Sequence, residues 1–491
     1  CQGVKMCCSC CGVTQQKIWV FLIAVLFIVP GLLLVILWTD FINDKVYDML
    51  PLGPCSNTYD KWMQAPIPVY LYMYLFNWTN PDQVRTIGVK PNFQQVGPFV
   101  YREEKLKEDI TWHSNKTVSY YGQRTWYFEP EMSGASLDDL ITCPHLPSLA
   151  AANVVRNESI ILKLGFNIVL NNNGGALYQT HTAGEWLFEG FYDEFLDYAM
   201  KLNSSLIGPV DSNHFAWFLN RNGSKEFEGL FTVHTGQGDL TQMGEIKFWN
   251  GVNHTGYYEG ECGRLNGSTA DLWVPNIGPE EYITVYITDT CRIINLVPTG
   301  EVEIEGIKAT MYETKPDTFD SGQRNGDMKC YCPRDKQPDN CPATGVTDLG
   351  PCAKGVPMYM SHPHFMYADE SFANTITGLE PDYEKHNFFI VLERKLGVPL
   401  QVNANVMVSL HIRNDSDITI LRDLPEFYAP LFVTSSKAVI SKEFAKEIKF
   451  ALNLPAIGFY CGLASIIIGA IIGTVGIYLT VTHNWYGEYK K

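Results

Sequence analysis

Positive charge is scarce in this chain of 491 residues: 37 lysines and arginines stand against 53 aspartates and glutamates, a formal net charge of −16. A nucleic-acid binder needs a basic face for the phosphates, so that class is excluded. Charged residues make up only 18% and hydrophobic ones 46%, which rules out a disordered chain, while 13% aromatics promise a buried core. Catalytic signatures are missing too. There is no Gly-x-Ser-x-Gly elbow, no phosphate loop and no His-Glu-x-x-His helix, and Gly236-x-Gly238 lacks the third glycine of a dinucleotide site. The sequence therefore predicts no enzyme: no catalytic residue, metal ligand or cofactor is assigned.

Charge vanishes entirely from two stretches, 21 positions at 18–38 and 27 positions at 455–481. At ~1.5 Å per residue the shorter one reaches about 32 Å, enough to cross a hydrocarbon core of ~30 Å. It exceeds the ~7–15 apolar residues of a signal peptide, and Leu37-Trp38-Thr39-Asp40 is no small-residue cleavage site, so an uncleaved anchor is expected. Pro30-Gly31 is tolerable in a helix that packs against another. Lys5 and Lys17 precede the first span, Asp40 and Asp44 follow it, and Lys490 and Lys491 outnumber Glu488 after the second. The positive-inside tendency then places the tails, 1–17 and 482–491, in the cytosol and residues 39–454 outside, with Lys446 and Lys449 free to snorkel. Those tails carry a net +3 of the total −16, leaving −19 on the outer region. Glycines at 458/462 and 469/473 predict close packing of the two spans on each other. Neither span holds an Asp, Glu, Lys, Arg or His, which argues against an ion pathway.

Cysteines and sequons report the compartment. Eight Asn-x-Ser/Thr sites (Asn77, Asn115, Asn157, Asn203, Asn222, Asn253, Asn266 and Asn414) all fall in the outer region and predict N-glycosylation. Cys262, Cys291, Cys330, Cys332, Cys341 and Cys352 suggest three bridges in an oxidising compartment, with fifteen pairings open. A zinc site joining Cys330-x-Cys332 to His362-x-His364 is the lesser alternative, because secreted thiolates oxidise more readily than they recruit metal. Cys55 and Cys143 remain as a fourth pair or as free thiols. Cys7, Cys8, Cys10 and Cys11 lie a few residues from a span and are expected to carry S-acyl chains; redox or metal chemistry is the smaller reading.

Strand signals dominate the outer region. Leu400, Val402, Ala404, Val406, Val408, Leu410 and Ile412 alternate with Gln401, Asn403, Asn405, Met407, Ser409 and His411, the pattern of a half-buried strand. Ile283, Val285 and Ile287 alternate likewise, and a further run is expected to begin at Val302. Pro- and Gly-rich turns between the runs predict a mainly β domain with antiparallel pairing. Residues 136–202 differ, reading as a helical head. There Thr182 and Glu185 form a capping box that should open one helix carrying Trp186, Leu187, Phe191, Phe195, Leu196 and Tyr198. Val154, Val155, Ile160, Ile161 and Leu164 make an apolar stripe upstream, and Arg156 and Lys163 offer a local basic patch. Val155, Arg156, Ile160, Ile161, Lys163 and Leu164 are the candidate ligand-binding residues. His181 beside the capping box is read as structural before titratable.

From the first span to the second the chain resembles the class B scavenger receptors, the family of fatty-acid translocase, lysosomal integral membrane protein two and the sensory-neuron membrane proteins. The resemblance is carried by Leu75-Phe76-Asn77-Trp78-Thr79-Asn80-Pro81, Val96-Gly97-Pro98-Phe99-Val100-Tyr101-Arg102, Cys262-Gly263-Arg264-Leu265-Asn266-Gly267 and Pro363-His364-Phe365-Met366-Tyr367-Ala368, together with the six-cysteine spacing. The tail Cys7-Cys8-Ser9-Cys10-Cys11-Gly12 and the run from Trp186 to Glu194 are most similar to insect croquemort-like receptors. The resemblance implies bridges Cys262–Cys330, Cys291–Cys352 and Cys332–Cys341. It further implies an irregular antiparallel β-barrel with an internal lipid tunnel under a helical head, anchored by two transmembrane helices. In one place the chain departs: fatty-acid translocase carries lysines where Asn171 to Gly175 stand here without charge. That departure and the −19 weaken long-range attraction to anionic surfaces.

What the resemblance implies is a cell-surface scavenger receptor. Its head would bind lipidic or lipoprotein-type ligands (fatty acid, sterol, carotenoid or lipoprotein lipid) and its tunnel would pass lipid towards the membrane, with apoptotic cells or microbes as further ligands. The expected location is the plasma membrane with both termini cytosolic. Two alternatives share the topology: a lysosomal sorting receptor docking a protein, and a two-span ligand-gated channel.

Overall fold

The computed structural model describes residues 12–56, 58–202, 210–333 and 341–486. Along the chain, helix α1 (Val13–Met49) and a short α2 (Tyr59–Met63) lead into strands β1 (Val69–Trp78), β2 (Phe93–Trp112) and β3 (Thr117–Phe128). The head follows: β4 (Leu140–Pro144), α3 (Leu146–Val155), α4 (Ile160–Asn172), β5 (Tyr178–Thr182), β6 (Phe191–Tyr192), α5 (Glu194–Leu202) and β7 (His214–Phe215). Then come β8 (Leu230–His234), β9 (Ile246–Trp249), β10 (Ile283–Ile287), β11 (Arg292–Ile304), β12 (Ile307–Thr314), β13 (Val346–Asp348) and β14 (Met358–Ser361). After α6 (Glu370–Asn374) and α7 (Tyr383–His386), strands β15 (Phe389–Glu393), β16 (Val398–Ile412) and β17 (Phe427–Val439) precede the last helix, α8 (Lys442–Val481).

Two units form, one of Cys1–Pro51 with Lys442–Lys491, the other of Leu52–Ser441. In the first, α1 and α8 are both long and apolar enough to cross a membrane, and both run well beyond the uncharged stretches 18–38 and 455–481. Glycines seat one helix on the other. A methyl group at Gly31 would meet the Gly462 carbonyl at 2.8 Å, one at Gly458 would meet the Trp38 indole at 1.7 Å, and Gly469 and Gly476 face Ile28 and Val20 equally closely. The contact stripe is thus 458, 462, 469, 476, with spacings of four, seven and seven residues, and Gly473 of the expected 469/473 pair sits at its margin. Trp38 Nε1 donates to the Leu454 carbonyl (2.9 Å) and Ser465 Oγ to that of Phe27 (2.8 Å), hydrogen bonds that tie the helices where side-chain packing is thin.

In the second unit the sheet order is β10-β11-β12-β15-β16-β17-β1-β2-β3-β8-β9, all antiparallel, with the β13–β14 hairpin added on β16. Its two ends are joined by a two-residue splice. Ser268 bridges Glu245 beside β9 and Val285 of β10, with Ile246 N–H donating to the Gly267 carbonyl (2.8 Å) and Tyr286 N–H to that of Ser268 (2.9 Å). The sheet therefore closes on itself and leaves no long open edge.

Three expectations change in detail. The Thr182–Glu185 box is formed, Thr182 N–H donating to the Glu185 carboxylate (2.9 Å) and Glu185 N–H to Thr182 Oγ1 (3.2 Å). It opens only a π turn, Glu185–Glu189, because Gly190 then adopts φ +78° and ends it; α5 starts afresh at Glu194. Residues 302–304 end β11 rather than begin a strand, and Glu305-Gly306 turn the chain into β12. In β16 Leu400, Val408, Leu410 and Ile412 are buried as expected, but between them the burial is reversed, with Asn403 and Asn405 buried and Val402, Ala404 and Val406 half-buried. The two asparagines donate to the Asn387 carbonyl of the segment laid across them, which is how a polar face comes to be covered.

Candidate ligand-binding site

Strand register sorts the barrel's side chains. Leu71, Met73 and Leu75 of β1 lie opposite Ser436, Thr434 and Phe432 of β17, which lie opposite Ala404, Val406 and Val408 of β16. Residues directly opposite share a face, so these belong to one surface. The other face carries Glu104 and Tyr127, open to solvent, which makes the first the inner one. The inner face is apolar: Leu71, Met73, Leu75 and Phe99 pack with Trp186, Leu187 and Phe218 from the head-side segment. Val402, Ala404, Val406 and Phe432 stay only half-buried although they point inward.

Helix α4 carries apolar residues on its exposed side as well as its buried one. Ser159 caps it, accepting from Leu162 N–H. Two of its polar residues, Lys163 and Asn167, face inward, while Asn171 and Asn172 are exposed. Asn167 Nδ2 donates to the Asp417 carbonyl (2.7 Å) while its Oδ1 accepts from Thr419 N–H (2.9 Å), and Lys163 Nζ meets Asp415 (2.9 Å). Phe166 and Leu170 join them against the core. Outward stand Ile160, Ile161, Leu164 and Ile168, with Ile161 77% exposed, an apolar strip at i, i+1, i+4 and i+8. Of the six candidate residues, Ile160, Ile161 and Leu164 are displayed together. Val155 is buried in the core instead. The basic patch does not form: Lys163 is spent on Asp415, and Arg156 donates to the carbonyls of Arg413 and Asn414. Leu162 and Ile168 extend the exposed surface beyond what the sequence suggested, though the four-residue spacing 160, 164, 168 was there to be read.

Beneath α4 lies a group no sequence motif announced. His145 Nδ1 contacts Ser148 Oγ (2.8 Å) and its Nε2 contacts Asp193 Oδ2 (2.7 Å), with His145 and Ser148 fully buried. The order resembles a hydrolytic triad, but Ser148 Oγ also accepts from Ala176 N–H and has no surface from which a substrate could reach it. Its work is structural: burial would raise the Asp193 carboxyl, yet the bonds from His145 and Leu196 N–H hold it below the usual range. The three groups tie α3 to α5.

Charged groups on the barrel pair across strands. Glu228 meets Arg124 (2.6 Å), and Asp289 meets Arg221. Burial alone would raise Asp289, but the two arginines hold its carboxyl low. A cleft of about 1020 Å³ is lined by Asn153, Tyr257, Arg413, Glu426 and Tyr428 among others.

The cysteines form Cys262–Cys330, Cys291–Cys352 and Cys332–Cys341. The four zinc-type residues do not converge: His362 Nε2 meets Thr314 Oγ1 (2.9 Å) and His364 Nε2 meets Gln95 Oε1 (2.6 Å). Cys55 and Cys143 are both free, one exposed and one buried, as is Cys461 on α8, which the sequence reading passed over. His181 stacks on Phe191 at 3.5 Å, and burial lowers its pKa. Asn115, Asn157, Asn222, Asn253, Asn266 and Asn414 are exposed; Asn77 is half-buried, its Oδ1 accepting from Thr142 N–H. Asn203 and the tail cysteines Cys7, Cys8, Cys10 and Cys11 lie outside the described residues.

Comparison with known proteins gives consistent matches. The family model described as the CD36 family matches residues 22–480. Protein peste of Drosophila melanogaster is 32% identical over 436 residues, covering 88% of this chain and 77% of that protein. Scavenger receptor class B member 1 of Bos taurus is 27% identical over 452 residues, covering 92% of this chain and 86% of that protein. Lysosome membrane protein 2 of Mus musculus is 27% identical over 433 residues, covering 88% and 86% respectively.

Proposed function

The chain belongs to the CD36 family, and from that premise we propose a two-span class B scavenger receptor that takes lipidic ligands on α4 and passes lipid through the barrel. The observation that carries the reading is the exposed apolar strip of α4. An amphipathic helix normally hides its apolar side, because each Å² withdrawn from water is worth ~25 cal/mol. Here five isoleucine and leucine side chains, Ile160, Ile161, Leu162, Leu164 and Ile168, face water, a cost that makes sense where an apolar partner covers them. The half-buried apolar residues on the inner barrel face supply the matching conduit. With −19 on the outer region and no free basic patch on α4, the cargo fits uncharged lipid better than anionic surfaces. Fatty acyl, sterol, carotenoid and lipoprotein lipid are the classes to be screened, with apoptotic cells and microbes as lipid-presenting surfaces. In this reading both termini are cytosolic, the eight sequons carry glycans, and Cys7, Cys8, Cys10 and Cys11 carry acyl chains in the inner leaflet.

The test is binding of neutral-lipid emulsions by the full chain in detergent or nanodiscs, with lipid extraction and mass spectrometry of the purified protein. Ile161→Asp with Leu164→Asp should cut binding at least tenfold while leaving the melting temperature within ~2 °C. Unchanged binding, or a preparation free of lipid, would remove the proposal. A lysosomal sorting receptor is the second reading, favoured by the match to lysosome membrane protein 2. Steady-state immunolocalisation separates them, a plasma-membrane pattern supporting the first.

A further inference from the structure

The inner wall of β17 carries two hydroxyls in an otherwise apolar run. Phe432, Thr434, Ser436 and Ala438 point inward in turn. Thr434 stands in a row with Val406, Met73 and Phe99, and Ser436 in a row with Ala404, Leu71 and Tyr101, so neither row holds a charged side chain. Neither hydroxyl has a hydrogen-bond partner among the described residues. Ser435 Oγ, on the opposite face of the same strand, and Trp217 Nε1 also lack partners, but both are cut off from open space. Thr434 and Ser436 differ from them: each is half-buried, and its hydroxyl borders accessible space on the inner side. A hydroxyl among apolar walls is costly without a partner, so whatever fills that space decides its energy.

We infer that Thr434 and Ser436 form a selection step in the barrel wall, favouring a lipid with an uncharged oxygen function (alcohol, ketone or ester) over a bare hydrocarbon and over a carboxylate. Each hydroxyl both donates and accepts, so its complement is one oxygen that does either. A hydrocarbon passing the pair displaces water from it and returns no hydrogen bond. A carboxylate fares worse. The next row brings Glu103, opposite Val69, and Lys105 on the same wall is already paired with it at 3.4 Å. Like charge repels, and no cation in the two hydroxyl rows offsets that. The hydroxyls are two residues apart, ~7 Å along the strand, so a moving chain passes its oxygen from one to the other. The step rests on the reading of the barrel as a lipid conduit and adds a rule for which lipid it takes.

The full chain in nanodiscs is photolabelled with a diazirine derivative of hexadecanol, the labelled peptides are mapped, and hexadecanol, hexadecane and hexadecanoate are compared as competitors. Labelling should fall on β16 and β17, and hexadecanol should compete about fivefold better than either of the others. Thr434→Val with Ser436→Ala, which nearly preserves side-chain volume, should bring hexadecanol and hexadecane to within about twofold of each other. Ser435→Ala, on the other face of the strand, should leave the wild-type ranking in place. Equal competition by all three in the wild type, a preference for hexadecanoate, or a double variant that keeps the wild-type ranking overturns the selection step and leaves the conduit standing. Labelling absent from both strands overturns the conduit together with it.

Discussion

His362 and His364 show how burial becomes pH dependence. Burial lowers His362 to about 3 and, with His386 and Lys385 nearby, His364 to about 4. The unfolded chain takes up protons near pH 6.5 that the folded one refuses, so stability is complete above that value and is lost as the pH falls. Each imidazole should cost about 2 kcal/mol by pH 5. The melting temperature of the outer region should accordingly drop between pH 7 and pH 5, and His362→Gln should flatten that slope in scanning calorimetry. A second loss belongs below about pH 4. There Glu103, Asp271 and Asp289, which burial would raise but which Lys105, Lys107, Arg124 and Arg221 hold low, take up their protons. At this scale the sequence told which residue types mattered but not where they pointed. Lys163 and Arg156 looked like a ligand patch because composition cannot show that Asp415 and two carbonyls already hold them.

Among the elements, α1 and α8 were legible almost entirely, since uncharged length and glycine spacing are one-dimensional properties. The glycine stripe carries a direct expectation. Gly458→Leu would drive a side chain into the Trp38 indole, so α1 and α8 should separate, and disulfide cross-linking between cysteines placed at 27 and 465 should fall at least severalfold in membranes. Gly473→Ala, with 3.7 Å of room, should leave it unchanged. Helix α4 and strand β16 were legible only in part. Their periodicities announced helix and strand correctly, but periodicity fixes two faces without saying which is inward. Both elements bury some polar residues, Asn167 in α4 and Asn403 and Asn405 in β16, because neighbouring segments, at Asp415 to Thr419 and at Asn387, offer hydrogen bonds to them. The helix expected after Thr182 failed for another reason: one glycine at positive φ outweighed a well-formed capping box.

At the scale of the whole molecule, antiparallel alternation foretold a mainly β body, whereas its closure hangs on two residues that form no strand of their own. Cross-links reinforce that body. Replacing Cys291 and Cys352, 61 residues apart, by alanine should cost about 2–4 kcal/mol in denaturant unfolding, the loss expected when a loop of that length is freed in the unfolded chain. The circuit of strands has one junction unlike the others. Every neighbour in the main circuit follows its partner in the order of synthesis except β1, which meets β17 with Val69 opposite Ala438, about 370 residues later. At ribosomal speeds of ~5–20 residues per second, β1 waits roughly 20–70 s with one side bare. Until β17 is made, β1 presents an unpaired edge, and a stop codon anywhere before β17 leaves a sticky strand rather than a smaller closed barrel.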